Sequence, residues 1–587
     1  MSDNRTGTGS GLTLDPVTFE VLKNSFITTV DQMAEQVLRT CYSFVIYNRD
    51  FSSALNDANG DSIAQGNQDI AVHVGTLHYT CKDVIRAFKG EMKPGDVFMI
   101  NDPYAGGTHF NDVRLIRPIF VGDEIIAYSQ SNGHWSDVGG SVPGSFDVNA
   151  REMFREGIRI TPIRIIDQGV LREDVANMIA ANTRDPKSVI GDMRAQTEAT
   201  RVAEREILRL VDKYGKDTVV TGFKEVQDYV EQATRQRIAE LPDGDYACDD
   251  WLDNDGITDE PLAIALDMKI SGERLVLDFS RSASACAGPV NISRATTIAA
   301  CYVALKHIFH DVPANAGVLE PIEFVIPEGS ILHATRPRPV GGYTETILRL
   351  IDVTFGALAK AAPERSNGCA YGTINALSLA GHREDGRRWV MFSFFGGGHG
   401  GHPEGDGLNH GNAPISTATI PPVEILEAAY PVMFSQWALR PDSAGPGRQR
   451  GGLGGLYELE LLERSADVFL FGERGRYPPQ GVAGGGPGAC NIFEYDNEDG
   501  KGTPPLTSKM TGLRIARGQR LRLLAEHATD RFNPFLGDAS RCIQCARFIL
   551  ECRDRFSHLL GGAGGGFHIF VGHHFRDKVG AQGALGL

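Results

Sequence analysis

The chain has 587 residues with a formal net charge of -16, 42% hydrophobic and 22% charged residues, which is ordinary globular composition. Its length exceeds what one hydrophobic core serves, so two or three domains are expected, and the acidic balance argues against nucleic acid or an anionic membrane as partner. No apolar run reaches bilayer length, the polar start MSDNRTGTGSGLT lacks the apolar stretch of a signal peptide, and ten scattered cysteines do not form a disulfide framework, so a cytoplasmic protein is expected.

In chain order, Asp15 and Pro16 form a helix start, with an acid at the cap and proline just inside it. Phe19, Leu22, Phe26, Val30, Met33 and Val37 then recur at helical spacing. Residues 42–47 (YSFVIY) read as a short apolar strand, and residues 75–89 as a helix. His73, just before that helix, reads as a half-buried strand histidine unless the fold brings it near a metal. Residues 97–100 (VFMI) form a strand that feeds NDPYAGGTHFND, residues 101–112.

A β-hairpin follows. Residues 114–120 are one strand, VGDE the turn and residues 125–130 the return strand, which runs into SNGHWSDVGGSVPG, residues 131–144. A turn centred on Gly122 and Asp123 places Asp112 opposite Gly133, with His134 beside Asp112 and His109 one loop away. Two histidines and a carboxylate at the open end of a hairpin suit a divalent metal with open positions: Zn, Mn or Fe. Gly106, Gly107, Gly139 and Gly140 allow close backbone approach around this end.

Residues 176–214 and 223–238 read as helices, and LPDGD, residues 241–245, as a domain boundary. Beyond it, strands are expected over 263–270, 274–279, 323–326, 389–395, 457–462 and 468–471, and helices over 296–309 and 344–361. The 68 glycines gather in tight loops at strand ends. The expected fold is α+β and multidomain. A helical and mixed metal-binding part spans 1–242, a strand-rich, Gly-loop-rich part 243–530, and a divergent tail 531–587. Cys542, Cys545, Cys552 and His558 in the tail could hold a structural zinc, though their spacing is loose.

Several chemistries are absent. There is no G-x-x-x-x-G-K-[ST] P-loop, no Rossmann G-x-G-x-x-G and no G-x-S-x-G elbow. Met268–Lys269 lies in an alternating strand, so no biotin is expected. Metal-assisted chemistry is left as the main candidate.

NDPYAGGTHFNDV, DVGGSVPGS followed by EMFREGIRI, DFSRSASACAGPVN, PDSAGPGRQRGGLGG and ER…PPQGVAGG together resemble the hydantoinase B family. That family includes the B-type parts of hydantoin and 5-oxoproline hydrolases and subunits of acetone and acetophenone carboxylases. The resemblance implies that His109, Asp112 and His134 ligate the metal. It also implies an A-type partner in a hetero-oligomer, which binds ATP and phosphorylates the substrate oxygen. Asp137 could then act as a base or orient a histidine. Hydrolytic relatives carry His-His-x-Asp where this chain has His134-Trp135-Ser136-Asp137. An indole at 135 would exclude water from an activated intermediate. The expectation is therefore an acetophenone-type ketone carboxylase, with a cyclic-amide hydrolase as the alternative.

Overall fold

The computed structural model describes residues 13–525, apart from 68, 417, 420 and 421. The tail from 531 onward and its cysteine cluster lie outside the described residues.

Helix α1 (Pro16–Thr40) begins as its sequence demands, with the Asp15 carboxylate accepting from Val17 and Thr18 N–H at 3.1 Å. The next segment corrects the strand expected over 42–47: it is helix α2 (Phe44–Tyr47). Ser43 accounts for the change, because its hydroxyl caps the Ile46 N–H and offers the backbone a helical turn instead of a ladder.

Strands β1 (Phe51–Asp57) and β2 (Ser62–Gln65) lead to α3 (Ala71–Ala87). Then come β3 (Val97–Ile100), β4 (Asp112–Val121), β5 (Glu124–His134), β6 (Ile163–Asp167) and β7 (Val170–Leu171). Together they form a 7-stranded sheet ordered β2-β1-β5-β4-β3-β6-β7.

Three helices follow: α4 (Glu173–Ala181), α5 (Pro186–Tyr214) and α6 (Lys216–Ala239). A single helix over 176–214 is thus corrected to two. Pro186 cannot donate within a helix interior, and it starts a new helix behind the Asp185 cap. One face of the sheet packs on α1, α4 and α5 through a core containing Met33, Val37, Val113, Leu115 and Ala199. The other face is covered by α3.

The LPDGD turn joins α6 to β8 (Gly244–Leu252), a strand not expected from sequence, followed by β9 (Leu262–Ser271) and β10 (Arg274–Asp278). Helix α7 (Arg294–Ile308), β11 (Ile322–Val325) and α8 (Tyr343–Ala361) come next. The sheet β11-β10-β9-β8 is antiparallel except for the β10–β11 pair. Its core includes α7 and α8, both buried almost all round, α8 burying Glu345, Arg349 and Asp352 along with its apolar residues.

The remaining elements are β12 (Ala376–His382), β13 (Arg388–Ser393), α9 (Val423–Ala429), β14 (Val432–Leu439) and β15 (Gly455–Leu461). After them come β16 (Ser465–Phe471), β17 (Ile492–Asn497), β18 (Gly500–Gly502), β19 (Lys509–Ala516) and β20 (Arg520–Leu524). They form two facing sheets, β13-β12-β16-β19 and β14-β15-β20-β17-β18, with Leu377, Met391, Val468, Leu459 and Leu521 between them. Among the described residues no helix is long and apolar enough to cross a membrane.

Candidate metal centre

The hairpin exists, but its register differs by one residue from the expected one. The turn pairs Val121 with Glu124, and a bulge between Ile119 and Phe120 then shifts the ladder. Asp112 therefore lies directly across from His134, and Val113 takes the place opposite Gly133. The bulge brings the two proposed ligands into one row.

Strand β1 extends that row. It pairs with β5 so that Phe51 faces Gly133, and the His134 N–H donates to the Asp50 carbonyl at 3.1 Å. Asp50, His134 and Asp112 thus lie side by side across three strands. Alternation along a strand puts the next inward row two residues on: Ser52, Asn132 and Arg114. Helix α3 lies over both rows and brings His73 down onto them. His73 Nδ1 meets Asn132 Nδ2 at 2.9 Å and Ser52 Oγ at 3.2 Å, while its Nε2 meets Asp112 Oδ2 at 3.2 Å.

The loop before β4 delivers His109. Asn101 holds that loop, its amide donating to the Phe110 and Ile158 carbonyls at 2.7 and 3.0 Å. Gly106, at φ 110°, passes so close to α3 that a Cβ would stand 2.2 Å from Tyr79 Cβ. His109 Nδ1 then lies 3.0 Å from Asp112 Oδ2, and its Nε2 lies 3.1 Å from His134 Nε2.

The hydrogen bonds set the protons. An amide N–H can only donate, so His73 Nδ1 accepts from Asn132 and its Nε2–H donates to Asp112. Asp112 Oδ2 also receives the Thr108 hydroxyl and the His109 Nδ1–H. His109 is left with a lone pair on Nε2, facing His134. Burial, reinforced by the neighbouring His109, lowers the His134 pKa to about 3, so this ring is neutral, as a metal ligand must be. Burial alone would raise the Asp112 carboxyl, but His73 and His109 hold it well below the ordinary range. Asp50 is pushed up to about 8, by burial first and then by the Asp112 charge.

The donor chemistry fits a divalent cation. Two nitrogens bound tetrahedrally to one ion at about 2.0–2.1 Å stand about 3.3 Å apart, close to the observed His109–His134 spacing. Asp112 Oδ1 and His134 Nδ1 are buried without a hydrogen-bond partner. Among the described residues, however, no three His, Cys, Asp or Glu side chains stand ready around one point. Asp112 Oδ2 is engaged by His73, His109 and Thr108. Asp50, His73, His109 and His134 line a cavity of 50 Å³ whose other walls include Phe146, Tyr343, Phe392 and Phe394.

Two residues expected at the chemistry are placed elsewhere. Trp135 follows an inward residue in extended backbone, so it points through the sheet to the opposite side. It is fully buried in the α1/α5 core and donates its indole N–H to Gln196 Oε1 at 2.9 Å. It does not line the cavity. The Asp137 carboxylate accepts from Gly139 N at 2.9 Å, Gly144 N at 3.2 Å, and Arg184 N and Nη1 at 2.9 Å each. Four donors leave it shaping the 137–145 loop, and it too is off the histidine cavity. Sequence reasoning missed Asp50, which nothing marks until β1 is seen beside β5, and it undervalued His73.

The described chain, from residue 15 onward, matches the hydantoinase B/oxoprolinase family over residues 15–526, and it belongs to that family. An uncharacterised protein of Methanocaldococcus jannaschii is 34% identical over 84% of this chain and 86% of its own length. The beta subunit of caprolactamase from Pseudomonas jessenii is 32% identical over 80% of this chain and 82% of its own. The crystal structure of that ATP-dependent caprolactamase superposes with a TM-score of 0.82 at 28% identity, over 91% of this chain and 94% of that one. The nucleotide-free structure of acetone carboxylase also gives a TM-score of 0.82, over 88% of this chain and 75% of that one. Its 18% identity makes it a likeness of fold.

Proposed function

We propose that this chain is the hydrolytic subunit of an ATP-dependent cyclic-amide hydrolase, acting on a ring activated by phosphorylation on an A-type partner. The observation that carries the reading is the buried row Asp50–His134–Asp112 with His109 beside it, of which Asp50, His109 and His134 line a cavity. A relative 32% identical, the beta subunit of caprolactamase from Pseudomonas jessenii, supports the same reading.

His109, Asp112 and His134 would hold the divalent ion, with Asp50 as a neighbouring oxygen donor. When bound, such an ion polarises a carbonyl or lowers the pKa of a bound water to about 7. The chain's own residues supply the rest. Asp112 fixes the His109 tautomer so that its lone pair faces His134. His73, held by Asn132 and Ser52, keeps Asp112 in place. Phe146, Tyr343, Phe392 and Phe394 limit the water that reaches an activated intermediate.

The aromatic walls also favour a second reading, a ketone carboxylase of the acetophenone type. The argument for it from Trp135 lapses, because that indole lies on the other side of the sheet. The test is the chain assembled with its A-type partner and ATP. Ring opening of lactams or hydantoins without bicarbonate is expected. ATP-driven turnover of ketones that requires bicarbonate would replace this reading with the second.

A further inference from the structure

The histidine cavity is too small for an organic substrate. A water molecule's share of the liquid is about 30 Å³, so 50 Å³ admits little more than one or two waters. A second cavity of 370 Å³ lies beside it, inside the range of about 300–1,000 Å³ found for small-molecule sites. Phe392 and Phe394 line both.

The β13 sequence explains this wall. In RWVMFSFF, residues 389, 391 and 395 face the core between the two C-terminal sheets, and period-two alternation turns 390, 392 and 394 the other way. Phe392 continues the aromatic stack over the site, 5.2 Å from Phe146 and 5.9 Å from His134, with ring planes within 20° of parallel.

The larger chamber is rich in rings and balanced in charge. Tyr42, Phe44 and Tyr430 join the two phenylalanines in its walls, and its ionic groups are two aspartates, Asp137 and Asp185, and two arginines, Arg184 and Arg388. Asp137 and Arg184 neutralise one another at 2.9 Å. The Ser136 hydroxyl, two residues after His134, is buried without a hydrogen-bond partner, as is the indole nitrogen of Trp389.

We propose that the 370 Å³ chamber binds the ring of an uncharged cyclic substrate, and that Phe392 and Phe394 are the specificity-determining partition through which that ring reaches the histidines. This deepens the proposed function and rests on it for the chemistry, but not for the binding. A charged ring acid meets Arg184 already paired with Asp137 and an exposed, solvated Arg388, whereas an uncharged ring gains aromatic contact and the Ser136 hydroxyl.

The test is calorimetric titration of the full metal-free chain with ε-caprolactam and acetophenone as uncharged probes and benzoate as the charged one. The uncharged probes are expected to bind at least tenfold tighter than benzoate. Val390→Trp and Ser188→Trp, which fill the chamber from different elements, are each expected to weaken them at least tenfold. Phe392→Ala, which removes one aromatic wall of the chamber, is expected to weaken the uncharged probes and, in the assembled enzyme, to move the kcat/KM preference toward larger rings. If one filling variant does not fold, the other decides. No binding of the uncharged probes, or binding that persists in a folded filling variant, overturns the proposal. Because the titration uses no metal, it can succeed or fail independently of the metal centre.

Discussion

Replacing Trp135 with Phe separates a packing residue from a catalytic one. The indole N–H is the partner of Gln196 Oε1, and the Gln196 amide in turn donates to the Val113 and Ser131 carbonyls at 2.9 and 3.2 Å, tying α5 to the hairpin. Trp135→Phe strands a buried acceptor, which costs about 1–3 kcal/mol. It also removes volume from a filled core, adding about 1 kcal/mol. A loss of about 2–4 kcal/mol is expected, read as a thermal midpoint lower by a few degrees in a chain of this size. Turnover of the folded enzyme, assembled with its partner, is expected to stay within about threefold, because the cavity walls are untouched. A fall in kcat of about a hundredfold or more with an unchanged midpoint would refute the placement of the indole on the far side of the sheet.

Further outcomes follow from the same geometry. His73→Ala removes the N–H that holds Asp112 and is expected to weaken metal binding by about 10–100-fold, measured by chelator competition, with partial recovery in His73→Asn. Gly106→Ala must place a Cβ 2.2 Å from Tyr79 Cβ at φ 110°, and is expected to lower both the thermal midpoint and the metal content by displacing the His109 loop. Glu156 is pushed up to about 8, by burial first, against the Val340 and Gly341 N–H groups that donate to it at 2.9 and 2.6 Å. Its folded pKa lies above its unfolded value of about 4.3, so its contribution is present at low pH and lost as pH rises toward 8. Denaturation of wild type and Glu156→Gln across that range is expected to show wild type losing stability relative to the variant. Lys509→Met leaves Glu473 facing Arg349 at 3.6 Å without its closest cation, and is expected to cost about 3–5 kcal/mol.

The site was legible where chemistry is local and illegible where it depends on pairing. The NDPY and DVGG segments announce themselves, and the hairpin between them shows in its alternation. The register was wrong by one because a bulge at Ile119/Phe120 has no sequence mark of its own, and that one residue decides what faces Asp112. Asp50 enters only because β1, far upstream, lies beside β5. His73 enters only because α3 crosses the sheet. Trp135 could have been placed from sequence: if His134 faces the cavity in an extended strand, its neighbour faces away. The split of α4 from α5 at Pro186 was likewise written in the chain, whereas the four-residue helix at Phe44 depends on one serine cap.

The central claim is that His109, Asp112 and His134 bind one divalent ion. Metal analysis of the purified chain beside His109→Ala and His134→Ala tests it most directly. The account expects stoichiometric metal in the wild type and loss of at least tenfold in both variants, with each still folded by circular dichroism. Wild-type protein that takes up no divalent metal, or variants that keep it, would contradict the claim.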